Sequence, residues 1–345
     1  MKAVGGSGDM DQLLEVLAGF GVANTDVEIL RAARGAWSEN TRRALRSDLK
    51  IFGNWCAGHG LPMLPAQGET VARFVESAAR DKAPATVRRY VASIGTLHRA
   101  AGHADPKDGA VVRWALQCMQ RRKNRRQRQA LGLTWEMRQR ILAAAGGRLI
   151  DLRDRALLAV AYDAMLRRSE LVALEVADLS EATLGGATLL VRRSKADQTG
   201  EGAEVYLTPD TLELLREWLQ QARIRNGRIF RSFRPNGLLG ESLDVSQVSR
   251  IFKAMARKAG FDKQVVEGLS AHSARIGATQ DMIASDLGLA AVMQAGRWKT
   301  AAMVLRYGER LLVQRGGLAR FARLNTSRTA SARTEPDPRV DAALL

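Results

Sequence analysis

In LSAHSARIGATQDM, residues 269–282, a histidine and an arginine stand three apart among small, close-packing residues. That spacing puts His272 and Arg275 on one helical face, so both side chains can converge on one object. Taken alone, the pair is usually explained as a core histidine beside an arginine held by a carboxylate. Three further stretches bear on the choice. MLRRSEL places Arg167 at a helix break, where a guanidinium can leave the helix surface and point into a cleft, with Arg168 as the solvent-side alternative. RRSKAD holds Lys195 at a turn end, where its flexible stem could swing a proton donor onto a ligand or simply be a turn lysine. GRWKTAAMVLRYGE sets Trp298 ahead of Tyr307, across a helix start that Thr300 would cap.

The elements that must hold these residues follow from periodicity. After a glycine-rich start with no strong period, residues 1–35 read as a flexible segment, with order beginning near Ser38. Ser38 can cap a helix whose face is Leu45, Leu49, Phe52 and Cys56, with Gly58 ending it. ETVARFVESAAR is a second helix. A third carries Val87, Tyr90, Val91, Ile94 and Leu97 inward, with Arg88 and Arg89 outward. Residues 110–120 form a fourth and run into QRRKNRRQRQ, which contains Arg121, Arg122 and Lys123 and no acid. Such a run is either a solvated linker or a strap across phosphates.

Beyond it, Thr134 caps a helix over TWEMRQRILAAAGG, and RDRALLAVAYDAMLRRSELVALEV is helical with a break near Arg167, where Ser169 is a good cap. ATLLVRRSKADQTGEGAEVYL reads as a small hairpin, and Thr208–Pro209 starts a helix with Leu212, Leu215 and Leu219 inward. From 243 the chain is helix and short turn, with a tail after Asn325 of disordered composition. The resulting domains are 1–35, 36–120, a linker 121–132, 133–325, and a tail 326–345.

The chain has 345 residues, enough for two domains at roughly 150 residues each. Its net charge of +17 points to a polyanion, with nucleic acid ahead of an anionic membrane. No apolar run approaches the roughly 18 residues of a spanning helix, and the N-terminus has no apolar signal core, which implies a cytoplasmic protein. Cys56 and Cys118 lack any paired spacing, so neither zinc nor a redox motif is indicated, and both read as buried free thiols.

Arg167, Lys195, His272 with Arg275, Trp298 and Tyr307, in that order, resemble the tyrosine site-specific recombinases of the phage integrase family. The likeness is strongest in SAHSARIGATQDM and QAGRWKTAAMVLRYGE, where Trp298 stands in place of a histidine that many members carry. It extends through WSENT, NWCAGHG and LHRAAG, covering residues 30–325. The fold it implies is mainly α: a helical N-terminal core-binding domain and a mostly helical catalytic domain with a small antiparallel sheet, forming a C-shaped clamp around DNA.

The resemblance implies that Tyr307 attacks a DNA phosphodiester to leave a 3′-phosphotyrosine and a free 5′-hydroxyl. Arg167 and Arg275 would hold the non-bridging oxygens bidentately, since two guanidinium forks neutralise charge where it develops. His272 and the indole of Trp298 would add donors, Trp298 having packing as its other role. Lys195 resembles the general acid for the leaving oxygen. His272 is the better candidate to take the phenolic proton, although a phenol beside two arginines can ionise with little help. Glu170 matches a supporting acidic residue, or is a surface helix carboxylate.

Of the other tyrosines, Tyr90 lies on an apolar helix face, Tyr162 shares a face with Leu158 and Met165, and Tyr206 alternates along a strand. Each has a core explanation.

Base reading falls to Arg42, Arg88 and Arg89 on N-terminal helices, or these are solvated arginines. The partner is double-stranded DNA carrying recombination sites, exchanged through a Holliday junction by four protomers on two sites. No metal or cofactor is implied, and nucleoid association would follow from DNA binding. The C-terminal LLVQRGGLARFARLN would dock on a neighbour or on its own chain, with Gly316 and Gly317 as hinge. Arg297 adds a cation just before Trp298, a departure from the family pattern. The rival readings are a type IB topoisomerase or telomere resolvase, and a non-catalytic DNA-binding accessory protein.

Overall fold

The computed structural model describes residues 8–32, 36–123, 129–183, 185–192 and 202–332. The chain divides into two compact units, Met1–Arg128 and Gln129–Leu345.

The first unit is all helix: α1 (Gly8–Gly19), α2 (Asn24–Ala32), α3 (Glu39–Ala57), α4 (Gly68–Asp81), α5 (Pro84–Ala100) and α6 (Ala110–Arg122), with a 3₁₀ turn at Pro106–Asp108. Order therefore begins well before Ser38, contrary to the expected flexible segment. Met10, Leu13, Leu17 and Leu30 are buried in the same core as Leu45, Leu49 and Phe52, which is what fixes α1 and α2. Ser38 caps α3 by accepting from the Thr41 amide at 3.3 Å. Phe52 meets Phe74 edge-on with ring centroids 5.0 Å apart, joining α3 to α4. Of the two free thiols, Cys56 is buried as expected and Cys118 is exposed, because it lies on the outer face of α6.

The second unit runs α7 (Trp135–Ala143), α8 (Leu149–Asp163), α9 (Arg168–Ala173), β1 (Leu179–Glu181), β2 (Ala187–Val191), β3 (Ala203–Leu207), α10 (Pro209–Gln221), α11 (Gln247–Lys258), α12 (Lys263–Gly268), α13 (Ser273–Ala284), α14 (Leu289–Gly296), α15 (Ala302–Arg315) and α16 (Gly317–Ala332). This is the expected class, mainly α with one small sheet. The hairpin gains a third strand, giving an antiparallel order β1-β2-β3 with Leu189 facing Leu179 on one side and Val205 on the other. Ala187, Leu189, Val191, Val205 and Leu207 turn into the core, while Tyr206 on the opposite face is exposed rather than buried.

α8 is the hub, with Ala156, Leu157, Leu158, Ala159 and Val160 all fully buried. Tyr162 at its end donates to Asp281 at 2.5 Å, and the same carboxylate oxygen accepts from the Trp135 amide at 2.7 Å, so α7, α8 and α13 are tied at one point. Beneath lies Arg138, 1% exposed, stacked under Trp135 at 4.7 Å and donating to Thr211 at 2.7 Å. Gly277 lets α13 lie against the chain at Leu133, where a Cβ would strike backbone, and Leu133 donates to the Ser273 carbonyl at 2.8 Å.

Two helix ends differ from expectation. Ala301, not Thr300, is the N-cap of α15, and α16 continues to Ala332 through residues whose composition suggested a disordered tail. Gly316 separates α15 from α16 at the expected hinge, where a Cβ would strike the Leu312 carbonyl. Among the described residues no helix is long and apolar enough to cross a membrane.

Candidate active site

His272 is the residue that caps α13, with αR backbone, and Arg275 follows in the first turn. The Ser270 amide donates to buried Ser273 Oγ at 2.8 Å, which holds the turn that aims the imidazole. His272 Nε2 lies 2.9 Å from Tyr307 Oη on α15. α15 is held beside α13 because Gln280 Nε2 donates to the Tyr307 carbonyl at 3.1 Å and because Gly308 leaves room for Ile283.

Arg275 is 1% exposed. Its two terminal nitrogens donate to the carbonyls of Met165 and Gly296. Each retains a second hydrogen, so the guanidinium still has donors to offer an anion. Its Cζ lies 4.4 Å from the Trp298 ring centroid, and that ring meets Tyr307 edge-on at 5.9 Å. One indole thus covers the arginine and flanks the phenol.

The helix break falls where expected, yet Arg167 itself, not Ser169, is the N-cap of α9. Met165, with φ 47°, turns the chain out of α8, and Arg167 then pairs with Glu170, Nη1 to Oε1 at 2.6 Å and amide to Oε2 at 3.0 Å. Glu170 is 5% exposed, which removes the surface-carboxylate alternative. Arg168 is exposed, on the solvent side.

Burial dominates the titration of this cluster. It lifts the Tyr307 phenol above its ordinary value, and the cations Arg275, Arg306 and Arg167 only partly oppose it. It lowers His272, with Arg275 and Arg167 pushing the same way. Burial and neighbouring Arg167 bring Arg275 down to about 10, still a cation at neutral pH. The resting pair is a protonated phenol facing a neutral imidazole, and in the Nδ1–H tautomer the phenol donates and Nε2 accepts.

The structure therefore brings Arg167, Glu170, His272, Arg275, Trp298 and Tyr307 together, whereas Lys195 lies outside the described residues. A further residue belongs to the cluster: Arg297 donates to Glu170 Oε2 at 2.6 Å. Its sequence signal was a cation beside Trp298, with nothing local to name its partner.

The expected DNA-binding residues all lie in the first unit, and several are committed within it. Arg42 donates to the Trp37 carbonyl at 2.9 Å. Arg89 pairs at 3.0 Å with buried Asp48. Lys123 donates to the Lys82 carbonyl at 2.9 Å at the end of α4. Arg88, Arg121 and Arg122 are exposed.

With this geometry in place, comparison with known proteins is direct. Residues 133–311 match the phage integrase family, and residues 28–104 match its N-terminal SAM-like domain. The chain belongs to the phage integrase family, the tyrosine recombinases, which cleave and rejoin DNA. It is 32% identical over 284 residues to an integrase/recombinase xerD homolog of Selenomonas ruminantium, covering 79% of this chain and 82% of that one. It is similar too to recombinase cre of Escherichia phage P1, at 28% identity over 305 residues, covering 84% and 89%. The fold is that of XerH site-specific recombinase, solved with palindromic difH substrate in a post-cleavage complex, with a TM-score of 0.61 at 15% identity over 90% of each chain.

Proposed function

We propose that the chain recombines two specific duplex DNA sites, with Tyr307 as nucleophile. The 2.9 Å approach of Tyr307 Oη to His272 Nε2 carries the reading. A buried phenol whose proton is held tightly needs an acceptor in contact, and a neutral imidazole is that acceptor. In the first step the phenolic oxygen forms a bond to phosphorus, its proton passes to His272, and the bond from phosphorus to the 5′-oxygen breaks. Lys195 protonates that oxygen. A 5′-hydroxyl from the second site then attacks the 3′-phosphotyrosine and releases the phenol. One phosphate ester is exchanged for another at each step, so the bond energy is conserved in the covalent intermediate.

Arg167, at 26% side-chain exposure, presents the open guanidinium, and Arg275 waits under Trp298 until the phosphate enters. Exposed Arg121 and Arg122 supply phosphate contacts from the first unit, and exposed Arg88 is its base reader. Four protomers act on two sites. Leu318 and Phe321, 82% and 62% exposed on α16, suit a helix that docks on a neighbouring protomer.

A duplex nicked beside the cleavage point, recovered from a randomised-core library, should trap a covalent adduct with the wild-type chain. Tyr307→Phe should yield none. An adduct formed by that variant would rule out Tyr307 as nucleophile.

A further inference from the structure

Arg297 has left-handed backbone, φ 52° and ψ 48°, which L side chains rarely adopt, and it ends α14 one residue before Trp298. From there its guanidinium reaches the α8–α9 junction. Nη2 donates to Glu170 Oε2 at 2.6 Å and Nη1 to the Ala164 carbonyl at 3.1 Å. Glu170 Oε1 meanwhile accepts Arg167 Nη1 at 2.6 Å. One buried carboxylate is divided between two guanidiniums, an oxygen for each.

We infer that Arg297 is a positioning residue for strand cleavage: by occupying Glu170 Oε2 it prevents Glu170 from gripping Arg167 with both oxygens, and so leaves the second terminal nitrogen of Arg167 for the phosphate. The inference rests on the reading above, in which Arg167 meets the scissile phosphate. A carboxylate with two open oxygens takes a guanidinium as a two-pronged fork. With a side-chain exposure of 3%, Glu170 has little water to replace the charged donor that Oε2 loses, the Arg167 amide being its one remaining partner there. Arg167, tethered through its own amide to the same carboxylate, is the nearest replacement.

The same short segment governs the other arginine. The Gly296 carbonyl accepts from Arg275, and the Trp298 ring covers it. A Cβ at Gly296 would strike that ring, so the three residues 296–298 are packed as one piece. Arg297 therefore anchors to Glu170 the strand of chain that seats Arg275.

Three variants separate positioning from bulk stability. Arg297→Gly accepts the left-handed backbone and removes the guanidinium, Arg297→Lys keeps a charge without the fork, and Arg297→Gly with Glu170→Gln removes the competing carboxylate as well. A crystal structure of the Arg297→Gly chain should show Arg167 gripping both Glu170 oxygens. Adduct formation at saturating nicked duplex, corrected for folded fraction by circular dichroism, should fall roughly 10- to 100-fold in Arg297→Gly with DNA affinity little changed. Arg297→Lys should be intermediate, and the double variant should react faster than Arg297→Gly alone. An unmoved Arg167, or a double variant no faster than the single, would overturn the inference. The position of Arg167 decides this point by itself, whereas adduct formation by the wild-type chain decides the proposed function.

Discussion

His272 Nε2 and Tyr307 Oη lie 2.9 Å apart, and burial drives their proton affinities in opposite directions. The phenol holds its proton more firmly than in water, and the imidazole releases its own more readily. Adduct formation should therefore rise with pH on an acid limb whose midpoint lies below the ordinary histidine value of about 6.5, because a protonated His272 cannot accept. His272→Gln should lower the rate by roughly 10²- to 10⁴-fold and abolish that limb. Rapid-quench adduct assays from pH 5 to 8 measure both, and an acid limb retained in the variant would remove His272 as the acceptor.

Arg275 should not tolerate lysine. One ammonium cannot reproduce the paired donation to the Met165 and Gly296 carbonyls, and an unsatisfied buried carbonyl costs about 1–3 kcal/mol. Arg275→Lys is expected to lower stability in urea titration by that order and adduct formation by about 10²-fold. Wild-type stability with wild-type rate would show that the carbonyl contacts do nothing for either.

Trp298→Phe distinguishes packing from donation. The phenyl ring still covers Arg275 but has no N–H, so a packing role predicts near wild-type stability and rate, while donation to the phosphate predicts a loss of about 10-fold or more in rate alone. The geometry, an indole face over Arg275 and its ring beside Tyr307, favours a rate loss smaller than that of Trp298→Ala.

Gly277→Ala tests the seat of α13. The added methyl would strike the Leu133 backbone, and forced overpacking costs typically about 1–3 kcal/mol. Because α13 carries Arg275, a lowered Tm should come with slower adduct formation; loss of stability without loss of rate would uncouple the two.

His98 in the first unit predicts a pH-dependent stability. The Ala66 amide donates to Nε2 at 2.8 Å, which makes that nitrogen an acceptor and leaves Nδ1 to donate to the Ile94 carbonyl at 2.8 Å. The ring is neutral when folded, and burial, foremost, lowers its proton affinity, with His103 adding to this and the Ile94 carbonyl, Asp105 and Asp26 opposing it. Below about pH 6.5 the unfolded chain binds the proton that the folded one refuses, so stability is present above that pH and is lost as pH falls through it, by at most about 1.4 kcal/mol per pH unit for one proton. Urea unfolding at several pH values, with His98→Gln as the non-titrating control, measures the slope.

Much of this was legible from periodicity and caps. The inward face of α5 and the Ser38 cap needed only local spacing, and the six clustered site residues were each named from motifs. What local reasoning missed depended on distant partners. α1 carries Met10, Leu13, Leu14 and Leu17 at helical spacing, yet its glycine-rich flank masked it, and its burial comes from packing within the first unit. Ser169 is the better cap by propensity, but Arg167 prevails because Glu170 bonds both its amide and its guanidinium. The pairing of Arg297 with Glu170 spans too much sequence for any local rule to find.

Four non-glycine residues among those described have positive φ: Met165, Arg223, Asp286 and Arg297. An engineer seeking heat resistance would replace such residues with glycine, gaining on the order of 0.5–1 kcal/mol where the side chain is idle. Exposed Arg223 is suited to that exchange, and Asp286 less so because it pairs with Arg320. Met165 is packed in the core and Arg297 holds buried Glu170, so at these two positions glycine would forfeit more through a cavity or a broken ion pair than the relaxed backbone returns.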